Sequence, residues 1–171
     1  MGCQCGCQNN ATHKAERPSV ETIIDMAVRI EKAGQKFYST LAIYEYNEKI
    51  KDLLIFLAGE EAKHVKVFEN LSNILKNDLL DADSYSNDYL DYLNCIARTH
   101  LLFNIDIEDA DFKVDTARET LELALKFERD SITVFQEMLE VVGKNGKEVL
   151  KKLIEQEREH VLKLAHSFDM V

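Results

Sequence analysis

Two copies of one short signal carry the chemistry legible in this chain: Glu61-Ala-Lys-His64 and Glu157-Arg-Glu-His160, each following a lone upstream glutamate, Glu31 and Glu128. On an α-helix, residues three apart share a face one turn apart, so each Glu-x-x-His sets a carboxylate beside an imidazole. One such copy in a chain with five histidines would read as an ordinary solvated helix face. The repeat changes the reading. Glu31 to Tyr38 aligns over Glu128 to Phe135, and Leu57 to His64 over Leu153 to His160, with a single-residue gap in between. The register also chooses between neighbouring carboxylates, because Glu60 falls opposite Gln156 whereas Glu61 falls opposite Glu157. Four carboxylates and two imidazoles meeting in a dry interior would repel one another and lose their hydration, and two divalent cations cancel that charge. Oxygen-rich sites with one nitrogen per metal suit iron or manganese better than structural zinc, which prefers thiolate-rich tetrahedral closure.

Such a centre needs helices to hold it, and the apolar spacing supplies four. Pro18-Ser19 reads as a helix start with Ser19 as cap, followed by the inward stripe Ala27, Glu31, Gly34, Tyr38, Leu41 in steps of four and three. Asn47 breaks the chain and caps a second helix with the stripe Leu54, Leu57, Glu61, His64, Phe68, Leu71, Leu75. From Asn77 to Asp115 the pattern loosens into a crossover containing one short helix, Asn87 to Leu102, flanked by the acidic runs at Asp78, Asp81 and Asp83 and from Asp106 to Asp111. Thr116-Ala-Arg-Glu119 is a capping box opening a third long helix with Ala117, Leu121, Ala124, Glu128, Ser131, Phe135, Met138 and Val142 inward. Gly143 is expected to end it, and Asn145 to open a fourth with Leu150, Leu153, Glu157, His160 and Leu164 inward. The expected architecture is all-α: an antiparallel four-helix bundle over residues 19–171 with one long crossover, after a flexible tail over 1–18. Charged residues interrupt the apolar seams at mid-length, where they would be costly unless compensated.

Composition narrows the class. The 171 residues are 46% hydrophobic and 30% charged, with one proline, six glycines and no tryptophan, which suits one helical domain. A formal charge of −10 argues against a nucleic-acid or anionic-membrane surface. No apolar run approaches the ~20 residues a membrane helix needs. The start is polar and cysteine-rich instead of basic then apolar, so the chain is placed in the cytoplasm. Cys3, Cys5 and Cys7 form a Cys-x-Cys-x-Cys tail whose spacing is wrong for the Cys-x-x-Cys pairs of zinc ribbons; it reads as a reduced flexible tail, a soft-metal clamp or a redox-active thiol set.

With two lone glutamates, two Glu-x-x-His pairs, four seams and a crossover in hand, the chain resembles the rubrerythrin and ferritin-like family of di-iron carboxylate proteins over Ser19 to Phe168. The resemblance implies a ferritin-like bundle holding two iron ions, with manganese or zinc as possible substitutes. Glu31, Glu61, His64, Glu128, Glu157 and His160 would be the ligands, with Glu31 or Glu128 bridging. Tyr38 would stand beside the site, where its counterpart in the second half, Phe135, has no hydroxyl. Two departures stand out. Rubrerythrins carry a further glutamate at the position of Ser131, and a rubredoxin domain with two Cys-x-x-Cys pairs that this sequence lacks. Ser131 and its counterpart Gly34 are small, either to leave room for a small ligand or to let helices pack closely.

The resulting expectation is a di-iron oxidoreductase that reduces hydrogen peroxide or dioxygen and is re-reduced by an external donor such as a rubredoxin-like protein. A ferroxidase serving iron storage or delivery is the alternative, and a metal-binding scaffold without turnover the third. Tyr89, Tyr92, Leu93, Leu101, Leu102 and Phe103 give the crossover more apolar surface than one bundle face buries, so a homodimer is expected. His100, lacking a glutamate three residues back, and His166 are expected at the surface. Tyr44, Tyr46, Tyr89 and Tyr92 are expected to pack at the rim or crossover, and Cys95 to be a small buried hydrophobe.

Overall fold

The four-and-three stripes become the buried faces of four long helices in the computed structural model, which describes residues 20–75, 87–101 and 114–171. These are α1 (Val20–Tyr44), α2 (Glu48–Leu75), α4 (Ala117–Met138) and α5 (Lys144–Ser167), with a shorter α3 (Asn87–Thr99) in the crossover and a 3₁₀ turn at Phe168–Met170. Ser19, the cysteine tail, the two acidic runs, and Leu102 and Phe103 lie outside the described residues.

Short connections fold α1 back on α2 and α4 back on α5, and the two hairpins meet with α2 beside α5 and α1 beside α4. Every neighbouring pair is therefore antiparallel, whereas the diagonal pair α2 and α4 runs parallel, with Phe68 against Phe135. Because α2 and α4 point the same way, the chain must travel the bundle's full length between them. α3 makes part of that journey along α4, with Tyr89 Oη donating to the Glu137 carbonyl (2.9 Å) near one end and the Leu101 N–H donating to Asp130 Oδ2 (2.9 Å) at the other.

Local signals fix the helix starts. Asn47 Oδ1 accepts from the N–H groups of Lys49 and Ile50 and so caps α2. Thr116 Oγ1 accepts from Glu119 N while the Glu119 carboxylate reaches back to the Thr116 N–H, closing the capping box of α4. The turn between α4 and α5 departs from expectation. α4 ends at Met138, because Val141 and Val142 are drawn into the core and pull the chain off the helix axis before Gly143 is reached. Gly143 is then the N-cap of α5, and Asn145 lies inside its first turn.

α3 corrects two expectations. Among the residues of α3 and just after it whose burial is described, Leu93, Ala97, His100 and Leu101 are buried, and Cys95, halfway round the helix from Leu93, faces outward and is exposed. His100 is buried at 1% exposure, not superficial. Tyr44 and Tyr46 are exposed at the α1–α2 turn rather than packed there, and His166 is exposed as expected.

Candidate metal centre

Each of the four bundle helices delivers polar groups to the same level of the core. Glu31 comes from α1, Glu61 and His64 from α2, Glu128 from α4, and Glu157 and His160 from α5, and none is more than 3% exposed. The level follows from the hairpins: Glu31 and Glu61 stand at nearly equal distances from the α1–α2 turn, as do Glu128 and Glu157 from theirs, and a helix rises ~1.5 Å per residue. The two imidazoles stack with centroids 5.6 Å apart and planes 21° from parallel.

Ligand atoms gather into two overlapping groups, Glu31–Glu61–His64–Glu157 and Glu61–Glu128–Glu157–His160, each with its atoms within 4.8 Å of one another. The residues shared between the groups are Glu61 and Glu157. Glu31 and Glu128, one of which was expected to bridge, each belong to one group alone. His64 Nδ1 is 2.8 Å from Glu157 Oε1 and 3.4 Å from Glu31 Oε2; His160 Nδ1 is 2.8 Å from Glu157 Oε2 and 3.6 Å from Glu128 Oε1. Glu60, the rejected neighbour, instead pairs with Lys63 at the surface.

The electrostatics are those of a cluster awaiting positive charge. Burial, reinforced by the neighbouring carboxylates, pushes Glu31 and Glu61 well above the usual carboxylate range, and burial with Glu157 nearby pushes Glu128 up to about 8. Burial also acts on Glu157, but the hydrogen-bonded His160 and the His64 imidazole 2.8 Å away outweigh it and hold this group down to about 2. Burial disfavours charge on His160 too, yet Glu128 and Glu157 lift it to about 10. Among the described residues, every buried side-chain oxygen or nitrogen without a well-aligned hydrogen bond belongs to this cluster: both oxygens of Glu31 and of Glu61, both nitrogens of His64, Glu128 Oε2 and Glu157 Oε1, with His64 Nδ1 and Glu157 Oε1 facing one another at 2.8 Å without that alignment. Orphaned buried polar atoms are rare and costly, and cations bound among them would satisfy the carboxylate oxygens together with one nitrogen of His64. The residues present therefore fit a two-metal centre.

Around it the packing is asymmetric. Tyr38 Oη donates to Glu128 Oε1 at 2.6 Å, and burial beside these carboxylates pushes its phenol well up, so it stays protonated. The matching Phe135 only packs against Phe68. The small residues are explained by packing: a Cβ on Gly34 would stand 2.5 Å from Phe127 Cζ and 3.3 Å from Glu61 Cδ, so the space above it is filled by the Phe127 ring. Ser131 Oγ is occupied by His100 Nε2 at 3.0 Å.

A family model for rubrerythrin matches residues 22–167. The chain belongs to the rubrerythrin family. No curated protein matches significantly. A solved structure from Thermotoga maritima, described as that of a ferritin-like diiron-carboxylate protein, is 27% identical, with a TM-score of 0.63 over 91% of this chain and 97% of that one. The fold is thus the ferritin-like bundle of this family. His100 and Phe127 are the residues near the centre that sequence reasoning missed. The signal for His100 was present, because Leu93, Ala97 and His100 continue the same four-and-three stepping. Among the described residues no helix is long and apolar enough to cross a membrane.

Proposed function

We propose that this protein is a di-iron oxidoreductase that reduces hydrogen peroxide. The observation that carries the reading is the convergence of six buried ligand-type side chains whose ligand atoms form two overlapping groups. Glu31, Glu61 and His64 would hold one iron, and Glu128, His160 and Glu157 the other, with Glu61 and Glu157 between them. When bound, the metal pair supplies two electrons and neutralises the developing charge on oxygen.

The chain's own residues do the rest. Four carboxylates set the charge, and the two imidazoles give one nitrogen to each position. Tyr38 donates to Glu128 Oε1 and so steadies this carboxylate, whose Oε2 has no hydrogen-bond partner. Phe37, Tyr38 and Phe127 form a mutually tilted aromatic wall on the α1–α4 side that excludes water. The reading includes a homodimer, supported by the exposed Tyr92 on the crossover, and an external electron donor such as a rubredoxin-like protein.

Stopped-flow oxidation of the anaerobically reduced protein tests it. Peroxide should oxidise the centre much faster than dioxygen, whether or not excess ferrous ion is present. Comparable slow rates with both oxidants would sink the reading. Catalytic consumption of ferrous ion with dioxygen would assign the protein to iron oxidation and storage instead.

A further inference from the structure

One buried ionisable side chain takes no part in the centre. His100 follows the last turn of α3 and belongs to neither group of ligand atoms. Burial pushes its imidazole down to about 4, so it is neutral at pH 7. Three contacts fix its place. Nε2 meets Ser131 Oγ at 3.0 Å, and the ring stands edge-on to Phe127 with centroids 5.2 Å apart. The next residue, Leu101, donates its N–H to Asp130 Oδ2, which also accepts from the Lys126 ammonium at 2.7 Å.

Ser131 lies on the inward stripe of α4, one turn or about 5 Å of helix axis beyond Glu128. If filling volume were the only need, an apolar pair would do so without the desolvation cost of an imidazole and a hydroxyl. Both groups share a property that apolar side chains lack: each gives a proton on one side while taking one on the other.

We propose that His100 and Ser131 form a proton relay from the α3–α4 seam to the metal centre, with His100 a positioning residue that acts through the Ser131 hydroxyl. The proposal rests on the peroxide-reducing reading. Hydrogen peroxide leaves as two waters when its O–O bond breaks, two electrons arrive from the reduced metal pair, and two protons are taken up. The Tyr38 phenol is committed to Glu128, and the six cluster residues are committed to metal. In the relay, Ser131 Oγ gives its proton to the departing oxygen as His100 Nε2–H re-protonates Oγ and Nδ1 takes up a proton from water at the α3–α4 seam, all in one concerted passage. The imidazole is left with its proton on Nδ1 and returns to the Nε2–H tautomer by exchange with that water, after which a second passage delivers the second proton.

The test combines single-turnover kinetics with a measurement that needs no turnover. Iron-loaded His100→Gln and Ser131→Ala should keep the wild-type iron content but react with peroxide about a hundredfold more slowly, while Ser131→Thr, which retains a hydroxyl, should stay near the wild-type rate. In metal-free wild-type protein at neutral pH, ¹⁵N NMR should find His100 as the Nε2–H tautomer, donating to Ser131. Wild-type rates in His100→Gln, loss of its iron, or an Nδ1–H tautomer would each overturn the proposal. A wild-type protein indifferent to peroxide would end the functional reading and the relay's role with it. An Nε2–H tautomer in that same protein would then locate the failure in the substrate and not in the hydrogen-bond geometry.

Discussion

Replacing Gly34 and Gly59 by alanine should change stability in opposite directions, although both glycines sit inside long helices. The helical gain is common to both, since alanine is favoured over glycine in a helix interior by ~1 kcal/mol. The surroundings differ. At Gly59 an added Cβ meets nothing within 4 Å, so the gain is kept. At Gly34 the Cβ would lie 2.5 Å from Phe127 Cζ and 3.0 Å from Cε1, where carbon contacts prefer ~3.5–4.0 Å. The ring cannot swing away, because Phe37, Tyr38 and His100 pack around it with centroids 5.7, 5.4 and 5.2 Å distant. Overpacking of this kind costs ~1–3 kcal/mol, which exceeds the helical gain in most of its range. Thermal unfolding of the metal-free protein should rise by about 2–4 °C for Gly59→Ala, and Gly34→Ala should unfold below wild type by up to about 8 °C. The same Cβ would press on Glu61 Cδ at 3.3 Å, so Gly34→Ala should also bind metal more weakly. A Gly34→Ala protein stabilised as much as Gly59→Ala would refute the packing argument around the centre.

Three further outcomes follow from single contacts. His100 resists protonation until about pH 4 in the native state against 6.5 ordinarily, so the unfolded chain binds the proton first. Its contribution is complete above pH ~6.5 and is lost as pH falls toward 4. Denaturant titrations across that window should therefore show wild type losing up to about 3 kcal/mol that His100→Gln does not lose. Thr116→Ala removes the α4 capping box and should lower stability by about 1 kcal/mol, read as a shifted urea midpoint with an unchanged slope. Light scattering at micromolar concentration should report twice the chain mass, and a monomer would count against the dimer.

The bundle was legible because its seams are long and regular: the stepping through Leu54, Leu57, Glu61, His64 and Phe68 admits one buried face, and that face is the one observed. The six cluster residues were legible because a repeat removes chance matches, and because equal distances from two turns set equal heights. What escaped depends on tertiary contact. The family ligand pattern names Glu31 and Glu128 but does not say which carboxylates stand centrally, and the overlap at Glu61 and Glu157 needs the approach of α2 to α5. His100 was judged by the absence of a neighbouring glutamate when its spacing from Leu93 and Ala97 already placed it inward. The early end of α4 turns on Val141 and Val142, whose burial outweighs the glycine signal at Gly143.

The central claim is that these six side chains form one two-metal centre, and anaerobic titration with ferrous ion, following bound iron and released protons together, tests it most directly. The account predicts two irons per chain at pH 7 and a release of protons as they bind, with Glu128 and His160 among the donors, because ligands must be deprotonated to bind. His64→Ala and His160→Ala should each lose about one iron, and His100→Gln none. Wild-type stoichiometry in both of the first two variants, or iron uptake without proton release, would contradict it.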